Sequence, residues 1–273
     1  MSQHAPITIE APQVSVGQAF WALLARDAYV LRRNLREFIP RTVLQPLLLV
    51  FVFTYVFPKI GQGVGGNGEE FSTMLVAGVL GSVILFQGIQ AVALPLVQEF
   101  GYTKEIEDRV LAPLPVELVA VEKIVSGALQ CLIAALIVFP IAYFVPATPV
   151  HIVYNWPVLL TFAPLACVAS ASLGLMFGTM FEPRTVPMLF GIIVVPLTFL
   201  GCIYFPWQSL EPIRWLQIGV LANPLVYISE GFRAALTPVP HMSLLVVYPV
   251  LLAFTALFVW RGVAGFLKRI LPY

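Results

Sequence analysis

Long apolar stretches without a charged residue alternate with short polar segments along this chain. Residues 42–57 form the first such stretch, and the others are residues 71–98, 124–150, 152–181, 185–210 and 242–260. A helix rises about 1.5 Å per residue, so roughly 20 apolar residues cross the hydrocarbon core of a bilayer. Because lipid leaves no partner for unpaired backbone groups, each stretch is expected to be helical. The pattern therefore predicts an all-α integral membrane protein with six transmembrane helices within residues 41–261.

A basic amphipathic helix is predicted ahead of the first stretch. Residues 1–14 are polar and contain proline, which is typical of a disordered tail. Ser15 and Gln18 have the form of a capping box, and apolar residues then recur at helical spacing up to Pro40, which is expected to end the helix. The opposite face carries the basic residues Arg26, Arg32, Arg33 and Arg36. Such a helix lies in the membrane interface with its arginines among the headgroups, and the alternative is a helix that binds a soluble partner.

Most of the charge in the interior of the chain falls within residues 98–123. In this segment apolar residues recur every four positions, as on one face of a helix. Oppositely charged residues also stand four apart, in the pairs Lys104 with Asp108 and Glu105 with Arg109. Residues 98–117 are therefore predicted to contain a short amphipathic helix that ends at Pro113 and Pro115. Hydrocarbon excludes it, so it lies at a membrane surface or binds a soluble protein, and the alternative is a solvated loop.

A second polar interruption precedes the last apolar stretch. Residues 215–229 are uncharged but too short to span a bilayer comfortably, and they contain Asn223-Pro224. They are predicted to form two short re-entrant helices on the outer side, within an outer segment of residues 206–233. Glu230 and Arg233 stand where these helices end, as an ion pair that closes the outer end of a pathway or as a structural pair that positions the segment.

Composition and charge fix the class and the orientation. The chain is 59% hydrophobic and 11% charged, whereas soluble domains carry about 25% charged residues. Its net charge of +1 provides no field that would attract nucleic acid. With both termini in the cytoplasm, only Lys59, Arg214 and Arg233 of the 15 Lys and Arg lie outside. The positive-inside rule therefore predicts cytoplasmic termini, a basic cytoplasmic tail at 262–273 and a cytoplasmic location for residues 98–117.

Catalytic and ion-coupling chemistry are not indicated. The three cysteines lie in separate apolar stretches without metal-ligand spacing, and the three histidines are scattered, so no metal site and no enzyme are predicted. An ion-coupled transporter usually carries a carboxylate or histidine in mid-membrane, and the predicted spans contain none. Energy for transport is then expected to come from another protein. A self-contained channel or secondary transporter is the alternative.

Two stretches resemble a known family. The first is Glu99-x-x-x-x-Lys104-Glu105 followed by the run from Arg109 through Leu111 to Pro115. The second is the stretch of residues 222–233, which contains Asn-Pro and an acidic-x-x-Arg pattern. In this order and spacing they resemble the permeases of the ABC-2 type, the membrane subunits of many bacterial ABC exporters. The basic amphipathic N-terminus and the six-span plan are also similar to that family.

The resemblance implies a bacterial inner-membrane exporter subunit that works as a dimer of this chain. Each copy would contact a separate ATPase subunit, which binds ATP and Mg, through the coupling residues Glu99, Lys104, Glu105, Glu107, Asp108, Arg109 and Leu111. The N-terminal helix would act as a gate helix. The exported substrate would be an amphiphile such as a drug, a lipid or a lipid-linked saccharide. Possible path-lining residues, which are alternatively packing groups, are Phe51, Tyr55, Phe86, Gln87 and Gln90.

Overall fold

The computed structural model describes residues 15–60, 68–103, 114–181, 185, 188 and 190–270. Every regular element among these residues is helical, as the apolar pattern predicts, and none of them belongs to a strand. The helices are α1 (Val16–Arg33), α2 (Leu35–Phe51), α3 (Gly68–Gln98), α4 (Val116–Phe144), α5 (Trp156–Met180), α6 (Val195–Phe199), α7 (Arg214–Gly219), α8 (Pro224–Leu236) and α9 (Leu244–Ile270).

The amphipathic helix α1 starts where its capping box predicts. The Ser15 hydroxyl accepts a hydrogen bond from the Gln18 backbone at 3.3 Å, and the Gln18 side chain accepts one from the Ser15 backbone at 3.1 Å. The prediction that the helix runs to Pro40 is wrong, because α1 ends at Arg33 and Asn34 forms the corner before α2. Pro40 lies inside α2 instead, since membrane helices tolerate a proline whose neighbours satisfy the freed backbone group.

Among the described residues, five helical stretches are long and apolar enough to cross a bilayer. They are Leu35–Val56, Glu69–Gly101, Val116–Phe144, Trp156–Met180 and Leu244–Ile270. The first two include the single π-helical segments Val52–Val56 and Glu99–Thr103, which continue α2 and α3. These five stretches agree with the predicted first, second, third, fourth and sixth spans.

The predicted fifth span has a different form in the described residues. A π-helical segment at Phe190–Val194 leads into the short helix α6, and the chain leaves the helix at Leu200. Cys202, two residues later, has a positive φ of 52°. Residues other than glycine rarely adopt this conformation outside tight turns, so the chain turns here. A sixth crossing therefore stays a prediction.

Helix α3 lies at the centre of the bundle, with most of its surface covered by α4, α5 and α8. It approaches α5 through glycine. A Cβ atom on Gly174 would lie 2.6 Å from the carbonyl oxygen of Gly88, and one on Gly178 would lie 3.1 Å from the Cα of Ala93. Lipid provides no hydrophobic force that would hold membrane helices together, so their association depends on close packing. Small residues at the contact make that close packing possible.

Candidate functional site: an inner charge cluster, a polar crevice and an outer ion pair

The inner charge cluster joins three elements through one lysine. The Lys123 ammonium on α4 lies 2.8 Å from the Glu99 carboxylate, at the end of α3, and 3.5 Å from the Asp27 carboxylate on α1. Lys123 is only 4% exposed and Glu99 only 6%. Buried charges of this kind are retained where partners compensate their removal from water. The cluster therefore ties the amphipathic helix to the point where the second span leads into residues 98–117.

The end of the charged segment is not a surface helix. Pro115 directly precedes α4, which begins at Val116, so Glu122 and Lys123 lie in the first turns of a helix long and apolar enough to cross a membrane, where both are buried. The third span therefore begins earlier than the uncharged stretch of residues 124–150 indicates. The physical reason is that pairing with Glu99 and Asp27 allows Lys123 to enter the protein interior.

Among the predicted coupling residues, Glu99 is described, and its carboxylate binds Lys123 inside the bundle rather than lying on the surface. The other predicted coupling residues lie outside the described part: Lys104, Glu105, Glu107, Asp108, Arg109 and Leu111. The predicted gate-helix residues Arg26, Arg32, Arg33 and Arg36 are all exposed. Arg26, Arg32 and Arg33 lie on α1, as expected for its polar face, but Arg36 lies in the first turn of α2, because α1 ends before it.

Asp27 was missed as a functional candidate, although the sequence contains a signal for it. Asp27 stands three positions after Leu24 and four before Leu31, so it lies on the apolar stripe of α1. An acidic residue at such a position predicts a buried cationic partner. That partner is Lys123, which is 96 residues away and could not be identified from spacing along the chain.

A polar crevice of about 570 Å³ opens beside the inner charge cluster, between α1, α2, α3 and α4. Arg41 on α2 donates two hydrogen bonds to the Gln90 amide oxygen on α3, from Nε at 3.0 Å and from Nη2 at 2.7 Å. Thr42 donates to Gln87 at 3.3 Å. The first and second spans thus meet through polar side chains on this side of the bundle.

The predicted path-lining residues separate into two groups. Gln87 and Gln90 line this crevice, and with Phe86 they also line a small adjoining cleft against α2. Phe51 and Tyr55 stack on each other with ring centroids 5.2 Å apart, and neither lines either cavity. The structure of one chain therefore brings together three of the five residues, and a path through them stays a prediction.

The outer ion pair lies in helix α8. Glu230 and Arg233 are both fully buried and form an ion pair one turn apart. The Glu230 carboxylate accepts hydrogen bonds from the backbone of Trp207 at 2.8 Å and of Met242 at 2.7 Å, and Arg233 donates to the Cys202 carbonyl oxygen at 2.8 Å. The pair therefore fastens α8 to the two loops that flank it. This geometry agrees with the structural alternative, since the buried pair fixes the outer segment in place.

The break at Asn223-Pro224 is confirmed, because the short helix α7 and the turn Val220–Ala222 end there and α8 begins at Pro224. The Asn223 side chain caps α8 by accepting from the Leu225 backbone at 2.9 Å. It also donates to the Leu197 carbonyl oxygen on α6 at 2.7 Å, which connects the outer segment to the fifth apolar stretch. The course of these helices relative to the bilayer stays a prediction.

Among the described residues, no group of three His, Cys, Asp or Glu side chains is placed so that it could hold a metal ion. Cys131, Cys167 and Cys202 are buried and free, as their apolar surroundings predict. His151 lies against Glu69 on the surface at 3.3 Å, and His241 contacts the backbone of Met242. The candidate features of the described residues are the two charge clusters and the crevice.

An all-helical bundle with five candidate spans among the described residues is typical of a multi-pass membrane protein. Residues 18–237 match the model of the ABC-2 type transporter family, and the chain belongs to that family. It is similar to the inner membrane transport permease YadH of Escherichia coli strain K12, with 24% identity over 245 residues, 88% of this chain and 92% of the relative. The YadH permease of Shigella flexneri matches to the same extent.

Proposed function

We propose that this chain is the permease subunit of an ATP-driven exporter of the bacterial inner membrane, with both termini in the cytoplasm. Membership of the ABC-2 type transporter family supports a membrane subunit that receives energy from an ATPase. The named relatives are inner membrane transport permeases. A separate ATPase subunit, with ATP and Mg, would contact residues 98–117. The substrate would be an amphiphile such as a drug, a lipid or a lipid-linked saccharide.

The observation that carries the proposal is the junction at Lys123. Its two ion pairs, at 2.8 and 3.5 Å, join the end of α3, where residues 98–117 begin, to the gate helix α1. When ATP binding moves the ATPase, the displacement of residues 98–117 passes through Glu99 and Lys123 to Asp27. The gate helix and the first span then move together, because α1 leads into α2 through the single corner residue Asn34.

Two copies of the chain would form the pathway. Large apolar side chains stay exposed on α2, at Leu44 and Leu48, and on the fifth apolar stretch, at Ile192 and Phe199. In a single chain, lipid covers apolar helix faces of this kind. In a dimer, a second copy of the chain covers some of them, and the path lies between the two bundles. Native mass spectrometry of the purified complex would then give two permeases with two ATPase subunits.

The proposed function is tested by co-purification with the candidate ATPase encoded beside this chain. We expect the wild-type chain to retain the ATPase and the double variant Glu105→Lys, Asp108→Lys to lose it, because reversal of two charges in the coupling segment turns attraction into repulsion. The matched control is Glu70→Lys, Glu211→Lys, which reverses two exposed charges at the predicted outer surface.

The control variant should bind the ATPase as the wild type does. Retention of the ATPase by all three forms would show that residues 98–117 are not the contact. If no form binds an ATPase and the purified chain alone transports substrate in lipid vesicles, the chain is a self-contained channel or secondary transporter instead.

A further inference from the structure

The polar crevice has the size and position of a ligand site. Its volume of about 570 Å³ lies within the roughly 300–1,000 Å³ that small-molecule sites occupy. Its lining includes the junction of the amphipathic helix α1 with α2, and basic amphipathic helices of this kind lie among lipid headgroups. A molecule in this crevice would contact all of the helices α1 to α4.

The charges of the crevice are balanced, which selects between ligand classes. Three basic and three acidic side chains among the described residues line it, and their formal charges cancel: Arg26, Arg41, Lys123, Asp27, Glu37 and Glu99. A site for a polyanion or for a cation would carry an excess of one sign. Charges of both signs within one cavity complement a zwitterion, which presents a negative and a positive group together.

Two residues one helical turn apart provide complementary charges for the two ends of such a ligand. Glu37 and Arg41 stand four positions apart on α2, where side chains lie about 5–6 Å apart at Cβ, and both line the crevice. Arg41 uses Nε and Nη2 for Gln90, while within the described residues its Nη1 has no protein acceptor. A guanidinium held in this way suits a phosphate oxygen, and the Glu37 carboxylate suits an ammonium group.

The rest of the lining suits an amphiphile. Amide side chains, which both donate and accept hydrogen bonds, are contributed by Asn34, Gln87, Gln90, Gln98 and Gln130. An apolar wall is formed by Val30, Leu31, Phe38, Leu94 and Pro95. A headgroup that carries hydrogen-bonding atoms would contact the amides, while the start of an acyl chain would contact the apolar wall.

We propose that this crevice binds the headgroup of a zwitterionic phospholipid whose phosphate is followed by a primary amine. The phosphate binds Arg41 and the ammonium binds Glu37. The inference deepens the proposed function, because it names an amphiphile that the permease holds beside its gate helix. Its test uses lipid binding to the purified chain, which does not require the ATPase, so either proposal can fail without the other.

The experiment measures binding of short-chain phosphatidylethanolamine and short-chain phosphatidylglycerol to the detergent-purified chain by native mass spectrometry. We expect phosphatidylethanolamine to bind at least tenfold more tightly than the anionic lipid. Glu37→Gln should abolish that preference by weakening the amine-bearing lipid alone, since an amide keeps the size of the side chain and removes its charge. Glu37 is exposed, so this change leaves the fold intact. The matched control Glu211→Gln removes an exposed charge at the other end of the bundle and should change nothing.

Three results would overturn the proposal. The first is equal binding of the two lipids to the wild-type chain. The second is a Glu37→Gln variant that binds like the Glu211→Gln control. The third is binding of water-soluble glycerophosphoethanolamine as tight as that of the lipid, because the site would then recognise a free metabolite-like zwitterion rather than a membrane lipid.

Discussion

The two buried charge clusters of this chain differ in what they join. In the outer cluster, Glu230 and Arg233 belong to one helix, and their other hydrogen bonds go to backbone groups of Cys202, Trp207 and Met242. In the inner cluster, Lys123 meets two carboxylates from two other elements, and each contact joins side chain to side chain. The outer pair therefore fixes one segment in place, whereas the inner lysine connects three elements.

This difference indicates different roles. Backbone donors and acceptors hold the outer pair in a single arrangement, because moving it would leave several buried polar groups unsatisfied at once. A lysine has a flexible stem and a compact charge, so it can follow or exchange carboxylate partners when helices shift. We therefore expect the outer cluster to determine stability and the inner cluster to determine the transmission of movement.

The largest expected effect is loss of stability on breaking the outer pair. Arg233→Met leaves the fully buried Glu230 charge without its cation, which costs about 3–5 kcal/mol of folding free energy. Thermal unfolding of the detergent-purified variant should therefore start well below that of the wild type, with lower yield. The control Arg214→Met changes an exposed arginine of the same outer segment and should unfold like the wild type. Equal stability of the two variants would mean that the outer pair is not structural.

Breaking the inner cluster should separate stability from activity. Lys123→Met is expected to cost roughly 1–3 kcal/mol, less than the outer change, because Asp27 and Glu99 both line the polar crevice, where water can solvate the two carboxylates that lose this cation. Transport driven by ATP should nevertheless fall at least tenfold, with ATP hydrolysis retained, since α1 is no longer tied to α3 and α4. Vesicle transport and ATPase assays on the assembled complex check this.

Two controls sharpen the inner experiment. Lys123→Arg keeps the charge and should restore most of the transport, while Lys268→Met removes an exposed charge from the last turn of α9 and should have no effect. If Lys123→Met loses transport and hydrolysis only in proportion to its loss of folded protein, the cluster is a structural pair like the outer one.

The smallest effect is expected at the cap of α8. Asn223→Ala removes the hydrogen bond to the Leu225 backbone and the one to Leu197, and loss of an N-cap costs about 1 kcal/mol. Asn155 also precedes a helix with an early proline, but its side chain makes no capping hydrogen bond, so Asn155→Ala should be nearly neutral. A fall in unfolding temperature for Asn223→Ala and not for Asn155→Ala, in thermal melts, would confirm that the hydrogen bonds of the Asn223 side chain stabilise the start of α8.

Local features of the fold were predictable from neighbouring residues. The capping box at Ser15 and the break at Asn223-Pro224 each depend on groups a few positions apart, and both are confirmed. The end of α1 was not predictable in this way. Pro40 looked like a helix terminator, but in a membrane helix the surrounding protein compensates a missing N–H, and the corner falls at Asn34.

What the sequence by itself determined is the class of the protein: apolar stretches of membrane length, a basic amphipathic helix, a charged segment after the second span and the family pattern around it. Those properties depend on residues near one another in the chain. Only the tertiary structure decided which charges meet. Asp27, Glu99 and Lys123 come from three elements, and the crevice beside them forms between four helices. Contacts over such separations follow from helix packing, which spacing along a single chain does not encode.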